Sequence, residues 1–447
     1  MQLPYDSAAA TPYLTTMSDG TVKQLNPFTG TEVWTVPGRG NRPLGVRVEN
    51  PVALDPAQDG AHCAFCERRY LETPPEKSRV IRSHDGTWHT VYRTPAEHLF
   101  ATTAEFRRVP NLFEILSYEY WHANYGYEVP DDIAERRRAY LATDAGRDHV
   151  LAVARGKMRA SGVTAADVAR AGDDEVLDYA AAFFGGGHDV VVARRHYVEG
   201  AADSSQLSSS GSLTPEEHCQ YFAFTVESAR RLYEINRYVR YVAVFQNWLK
   251  PAGASFDHLH KQLVSIDERG VQNDRAIQRL RQNPNVFNEA GVNYASYHNL
   301  LLAENDHAVA FAGFGHRYPT IEIYSKSERS WPWDHTLEEI GGMSDLVHAM
   351  HAATGADVPC NEEWHHRPVD ADVPMPWRVM LKWRISTVAG FEGGTKIYVN
   401  TIDPHTMRDR LVPRLFQLRA EGRIGGMRIA MECSGKPSLL RYNPVMR

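Results

Sequence analysis

The 447-residue sequence predicts an α+β protein of two related halves, each an antiparallel sheet with helices packed against it, interrupted by a helical insertion. Three observations carry this reading. Short β-patterned runs bounded by turn residues recur along the chain, at 22–25, 33–36, 106–115, 188–192 and 241–245. Residues 119–187 switch to helical spacing through Leu151, Val153 and Met158, and the strand pattern resumes after Gly185-Gly186-Gly187. The second part then repeats the grammar of the first: strands at 308–311 and 321–324, a capped helix, and a strand at 379–383. The expected division is 1–275, a catalytic half carrying the insertion, and 276–447, a half of similar build.

Taken in order, residues 22–45 read as a hairpin, with Pro27-Phe28-Thr29-Gly30 as its turn and Arg39 and Arg42 just past the return strand. Cys63 and Cys66 follow in a turn-rich loop, and Asn111 lies within the 106–115 strand. In the insertion, Asp131 and Asp132 open a helix whose Arg136-Arg137-Arg138 run reads as a solvated face, and Thr164 opens another. The serine-rich tract 203–212 reads as a mobile loop or linker. Thr214-Pro215-Glu216-Glu217 carries the signature of a capped helix start, and Thr336 with Glu339 repeats it. Trp331, Trp333 and Trp377 read as core or interface, and the His365-His366 pair as surface or the remnant of a lost site.

Composition limits the function classes. Hydrophobic residues are 43% and charged residues 23%, as in folded globular chains. Forty-nine basic against 55 acidic residues leave a net charge of −6, so no global positive field favours nucleic acid or an anionic membrane surface. No apolar run reaches the roughly 18 residues that span a bilayer, and the amino terminus lacks a basic start followed by an apolar stretch; a cytoplasmic protein is expected. Five cysteines, two of them in C-x-x-C, suit a reducing compartment with one metal or redox site.

The most informative stretch is Gly253-Ala254-Ser255-Phe256-Asp257-His258-Leu259-His260-Lys261-Gln262. On a strand, side chains alternate, so His258, His260 and Gln262 share one face and Leu259 and Lys261 the other. An isolated H-x-H is most simply a half-buried strand with its imidazoles satisfied by carbonyls. The small residues before it favour close approach of a ligand to the backbone instead.

Here the sequence resembles the galactose-1-phosphate uridylyltransferase family, the H-x-H-x-Q branch of the histidine-triad superfamily, as a divergent member. His258, His260 and Gln262 match that motif; Asn247 and Ser255 match polar residues upstream of it. Asn26-Pro27-Phe28-Thr29-Gly30 with Trp34, Arg39 and Arg42, then Cys63 and Cys66, then Val109-Pro110-Asn111, match in the family's order, and Gly390-Phe391-Glu392 resembles a sugar-contacting motif. The resemblance implies duplicated histidine-triad-like halves, a homodimer, and a double displacement in carbohydrate metabolism. His260 would take the nucleoside monophosphate from a nucleoside diphosphate sugar and pass it to a sugar 1-phosphate. Gln262 and Ser255 would bind phosphates, Asn111 and Asn247 would help position the substrate, Arg39 and Arg42 would supply charge, and Glu392 would meet the sugar. It also implies a structural zinc on Cys63, Cys66, His196 and His258, with His188 a rival for His196; a redox dithiol is the competing reading of the cysteines. The family's second metal site departs, because Pro376-Trp377-Arg378 stands where its later H-x-H is expected; that site is expected to be empty or absent, with Arg378 facing an anionic group instead. Two rival functions stand beside the transferase: a phosphorylase using inorganic phosphate on an ADP-sugar or dinucleoside polyphosphate, and a non-catalytic zinc scaffold. Lys261, where the family carries a small residue, favours the scaffold.

Overall fold

A computed structural model describes residues 12–39 and 44–444. From the amino end, β1 (Leu14–Thr16), β2 (Val22–Leu25) and β3 (Glu32–Thr35) precede β4 (Ser78–Arg82), β5 (Trp88–Tyr92) and β6 (Phe106–Pro110). The insertion is α1 (Tyr118–Tyr125), α2 (Asp131–Leu141), α3 (Asp144–Ala160), α4 (Ala165–Arg170), α5 (Asp173–Tyr179) and α6 (Ala182–Gly185), after which β7 (His188–Ala193) resumes the sheet. α7 (Pro215–Ile235), β8 (Tyr241–Trp248) and β9 (His260–Ile266) follow. Next come α8 (Val271–Gln282), α9 (Tyr294–Tyr297), β10 (Leu301–Glu304), β11 (Ala308–Ala312), β12 (Thr320–Ser325), α10 (Leu337–Thr354), β13 (Cys360–His365) and β14 (Arg378–Trp383). The chain closes with α11 (Gly390–Thr395), β15 (Ile397–Asn400), α12 (Pro404–Ala420) and β16 (Arg428–Ile429).

Twelve strands form one sheet in the order β16-β10-β11-β12-β14-β13-β8-β9-β7-β6-β4-β5, and every pairing in it is antiparallel. The expected α+β class holds, and its repeat is visible: strand β7, helix α7, strands β8 and β9 match strand β12, helix α10, strands β13 and β14. The halves meet in mid-sheet, where β8 pairs with β13 through Trp248 opposite Cys360 and Asn247 opposite Asn361. Residue 275, the expected divide, falls inside α8.

Both long helices start as expected. Thr214 and Thr336 each accept from the N–H three residues on, and Glu217 and Glu339 reach back to the capping N–H, giving reciprocal caps to α7 and α10. These helices pack together on one face of the sheet over a continuous core that includes Phe222, Leu263, Leu346, Leu381 and Trp377. The other face carries the alternate residues of β8, β9, β13 and β14.

Several expectations are corrected. The 106–115 strand ends at Pro110, because the Asn111 side chain accepts from the Phe113 N–H at 2.9 Å and turns the chain. The serine-rich tract is no linker: Ser208, Ser209 and Ser210 are buried, and a Cβ on Gly211 would lie 2.5 Å from the Ala352 nitrogen of α10. The basic run of α2 is only partly solvated. The Arg136 guanidinium is buried and donates to the Glu76 carbonyl at 2.6 Å, and Arg137 donates to the Leu177 carbonyl at 3.1 Å; burial draws Arg136 down to about 10. His366 is buried, bonded to the Tyr233 hydroxyl at 3.0 Å and stacked on Tyr241. No helix among the described residues is long and apolar enough to cross a membrane.

Candidate active site

Two chain segments far apart in sequence converge at the amino end of β9. The loop of Cys63 and Cys66, closed by the Cys66 N–H on the Cys63 carbonyl, comes against His258, which immediately precedes the strand, and against His196, which follows β7. Cys63 Sγ lies 3.4 Å from His258 Nδ1, Cys66 Sγ lies 3.7 Å from the same atom and 3.6 Å from His196 Nδ1, and the two sulfurs are 3.8 Å apart. All four donor atoms fall within 4.8 Å of one another. These are the edge lengths of a tetrahedron around an ion bound at about 2.3 Å to sulfur and about 2.0 Å to nitrogen. The cluster is therefore one that could hold a metal ion.

Protonation suits the same reading. His258 donates its Nε2–H to the Ala193 carbonyl at 2.6 Å, which leaves the Nδ1 lone pair facing the sulfurs, the usual outer support of a ligating imidazole. The hydrogen bond between Cys66 and Cys63, helped by His196 and His258, draws the Cys66 thiol far below the ordinary range and favours its thiolate form. No disulfide joins the pair. His188, the rival for His196, lies elsewhere.

His260 stands two residues beyond. Its Nδ1–H donates to the His258 carbonyl at 2.6 Å, so its proton is fixed on Nδ1 and the Nε2 lone pair is the nucleophilic one. Burial, only partly offset by the hydrogen bond to the His258 carbonyl, lowers its pKa to about 4, so the ring is neutral at pH 7. Phe65, inside the C-x-x-C loop, packs its ring 5.3 Å from the His260 ring and 4.6 Å from Phe256, so the cysteine loop also braces the imidazole directly. Beneath lie Val109, Val190 and Val192, which form a small apolar cluster with Phe65.

Gln262 shares this face. Its Oε1 lies 3.1 Å from His188 Nε2, which the Asn111 amide nitrogen also approaches at 3.0 Å, while His188 Nδ1 faces the Ile115 N–H. The Asn111 amide nitrogen lies 3.5 Å from the same oxygen. Among the described residues no hydrogen bond is made by the Gln262 NH2, which leaves a donor on the face of His260. His188, offered by the sequence only as a rival to His196, instead meets Gln262; its signal is its place at the head of β7, where it pairs with Val264 of β9.

Of the other expected residues, Asn247 lies on β8 beside β9, with its Oδ1 accepting from Asn361 at 2.7 Å, in a cavity of about 620 Å³. Ser255 is exposed on the β8–β9 loop. Arg39 is exposed beyond β3, and Arg42 lies outside the described residues; Val46 donates to the Asp357 carbonyl. Glu392 caps its own short helix, α11, by accepting from the Ala389 N–H. It belongs with Trp34 and Phe391 beside the small sheet of β1, β2, β3 and β15, and among the described residues no hydrogen bond or ion pair joins Arg39 or Glu392 to β9.

Behind the strand, Lys261 points to the helix face. Its Nζ sits 2.6 Å from Glu362 Oε1 of β13, both side chains fully buried, and 3.2 Å from Gln246 Oε1. His351 and the Trp364 indole complete the carboxylate's partners, at 2.8 and 2.6 Å. Burial pushes the Glu362 carboxyl up, but Lys261 and His351 outweigh it and hold the group well below the usual carboxylate range. The lysine read as a mark of decay therefore ties the strand carrying His260 to the opposite half.

A family model described as Domain of unknown function (DUF4921) matches residues 17–442. ADP-glucose phosphorylase of Arabidopsis thaliana is 28% identical over 178 residues, 37% of this chain and 50% of that protein, so the chain spans about half the length of the curated relative it matches. Among solved structures, an ADP-glucose phosphorylase from Arabidopsis thaliana with bound ADP-glucose superposes with a TM-score of 0.55 at 18% identity, covering 88% of this chain and 98% of that one. A galt-like protein from the same plant gives 0.55 and 18%, covering 87% and 98%. At that identity the likeness is one of fold. The chain has the fold of the uridylyltransferase-like proteins that its motifs resemble.

Proposed function

The chain belongs to the DUF4921 family, and from that premise and the geometry around His260 we propose that it is a nucleotidyltransferase acting on nucleoside diphosphate sugars with phosphate as acceptor. His260 Nε2 attacks the α-phosphorus; the bond from that phosphorus to the bridging oxygen breaks, and sugar 1-phosphate leaves with the electron pair. An oxygen of inorganic phosphate then attacks the same phosphorus, the P–N bond breaks, and nucleoside diphosphate is released with the imidazole restored.

The observation that carries this reading is the His260 imidazole itself: neutral, its Nδ1 held by the His258 carbonyl and its Nε2 left for attack. Phosphoryl transfer asks a protein mainly for position and charge. The free NH2 of Gln262 is a donor for phosphoryl oxygens, and being unable to titrate it cannot protonate a leaving group, which favours transfer over hydrolysis. Ser255, Asn111 and Asn247 complete the polar surround in this reading, Arg39 and Arg42 supply charge, and Glu392 reaches a sugar only if α11 comes from a second copy in a homodimer.

Cys63, Cys66, His196 and His258 would hold a zinc ion, which would be structural because all four positions are filled by protein. Its chemistry there is geometric, fixing the residue whose carbonyl orients His260.

Phosphate as acceptor is favoured by the relative and the solved structure whose names are ADP-glucose phosphorylase. Incubation with ADP-glucose and either phosphate or a sugar 1-phosphate tests it. Release of ADP with phosphate supports the phosphorylase; a new ADP-sugar formed only with sugar 1-phosphate replaces it with the transferase; no turnover with a full complement of zinc leaves the scaffold.

A further inference from the structure

A second polar site occupies the other half of the same sheet face. Alternate residues of β14 and its extension, Arg378, Met380, Lys382 and Arg384, line a cavity of about 340 Å³ together with Glu363 of β13 and the segment Gly315 to Tyr318. Four permanent cations, Arg317, Arg378, Lys382 and Arg384, face it against one lining carboxylate, Glu363. In a chain of net charge −6 this concentration of positive charge is local and unbalanced.

Neighbours restore the balance only in part. Glu363 is taken by Lys382 at 2.5 Å. Glu322, beneath the cavity, meets His316 at 2.8 Å and accepts from the Tyr324 hydroxyl at 2.6 Å, and its charge partly offsets that of Arg378 without pairing with it directly. Arg378 is 4% exposed, stacks over Phe287 at 4.4 Å, and its Nε has no hydrogen-bond partner; among the described residues no carboxylate lies within 4.0 Å of it. Arg384 donates through Nη1 to Asn361 Oδ1, and its Nε is likewise buried without a partner. A buried guanidinium without a directly paired anion is costly, and its planar fork matches the oxygens of a phosphoryl group. The volume is in the range of small-ligand sites.

We propose that this cavity is a second anion site, which takes the phosphoryl group of a small phosphorylated molecule on Arg378 and Arg384. It lies on β14 and is separated from β9 by β13 and β8, a distance of about 14 Å at the usual strand spacing. Its occupancy does not depend on the reaction at His260.

Equilibrium dialysis of the full-length, metal-loaded protein against radiolabelled inorganic phosphate and glucose 1-phosphate tests this. The background is Gln262→Ala, to weaken binding beside His260. One saturable site is expected, with Arg378→Met and Arg384→Met each lowering its affinity about 10- to 100-fold, the value of one charged hydrogen-bond pair. Tighter glucose 1-phosphate assigns the site to phosphomonoesters, and equal affinity assigns it to the phosphate ion; both support it. Arg384 is only half-buried, so Arg384→Met stays informative if Arg378→Met does not fold. Unchanged affinity in the folded arginine variants, or loss of all binding in Gln262→Ala alone, overturns the proposal.

Discussion

The starts of β9 and β14 occupy the same station in the two halves, each the last strand after a long capped helix and each paired with the strands on either side of that helix. At one station stands His260, neutral, propped on the His258 carbonyl and braced by Phe65 of the cysteine loop. At the other stands Arg378, permanently charged and braced by Phe287. The fold thus supplies two equivalent platforms, and the side chain decides what each can do: an imidazole can form and release a bond to phosphorus, whereas a guanidinium only attracts and orients one. The Cys2His2 cluster that could hold a metal belongs to the first platform, where the aim of a lone pair matters.

The sharpest way to break this contrast is His260→Asn. It removes the nucleophile and should cost about 10^4-fold or more in kcat, with the melting temperature and metal content close to wild type; retained turnover would move the chemistry elsewhere. Next in size is removal of the metal. Cys66→Ser, or chelation of the wild type, should abolish one equivalent of bound zinc by elemental analysis and lower the melting temperature by roughly 10 °C.

The tie between the halves comes third. Lys261→Met leaves Glu362 without its cation and should destabilise the fold by about 3 kcal/mol in urea unfolding, with part recovered by adding Glu362→Gln. The pH dependence has a definite sign. A carboxyl held below its ordinary 4.5 contributes stability that is present above that pH and lost as pH falls toward the folded value. Lys261→Met should therefore flatten the acid limb of the stability curve. Smallest is Gln262→Ala, expected to lower kcat/KM about 10- to 100-fold through one lost charge-assisted bond, with little change in stability.

Much of this was legible in the sequence because local rules govern it. The capping residues Thr214 and Thr336, the period change over the insertion, and the alternation that puts His260 and Gln262 opposite Lys261 all depend on near neighbours. The motif resemblance extended that reach to Cys63, Cys66 and His196, whose convergence on His258 no local rule gives. What stayed hidden depends on register between distant strands. Lys261 meets Glu362 across 101 positions of sequence, so the lysine looked like a departure until β13 supplied its partner. The serine-rich tract looked mobile because composition does not show that Gly211 closes on the backbone of α10. The cationic cavity was legible only through Arg378, which the departure from the second metal motif singled out; Arg317 and Arg384 join it only when β14 and the 315–318 segment face each other.

The central claim is that His260 carries the nucleotide covalently. Intact-protein mass spectrometry after brief exposure to ADP-glucose without acceptor tests it most directly. The account predicts a mass gain of one adenylyl group on the metal-loaded protein, absent in His260→Asn and discharged by adding phosphate. A metal-loaded, folded wild type that stays unmodified across a panel of nucleotide sugars, or an adduct that persists in His260→Asn, would contradict it.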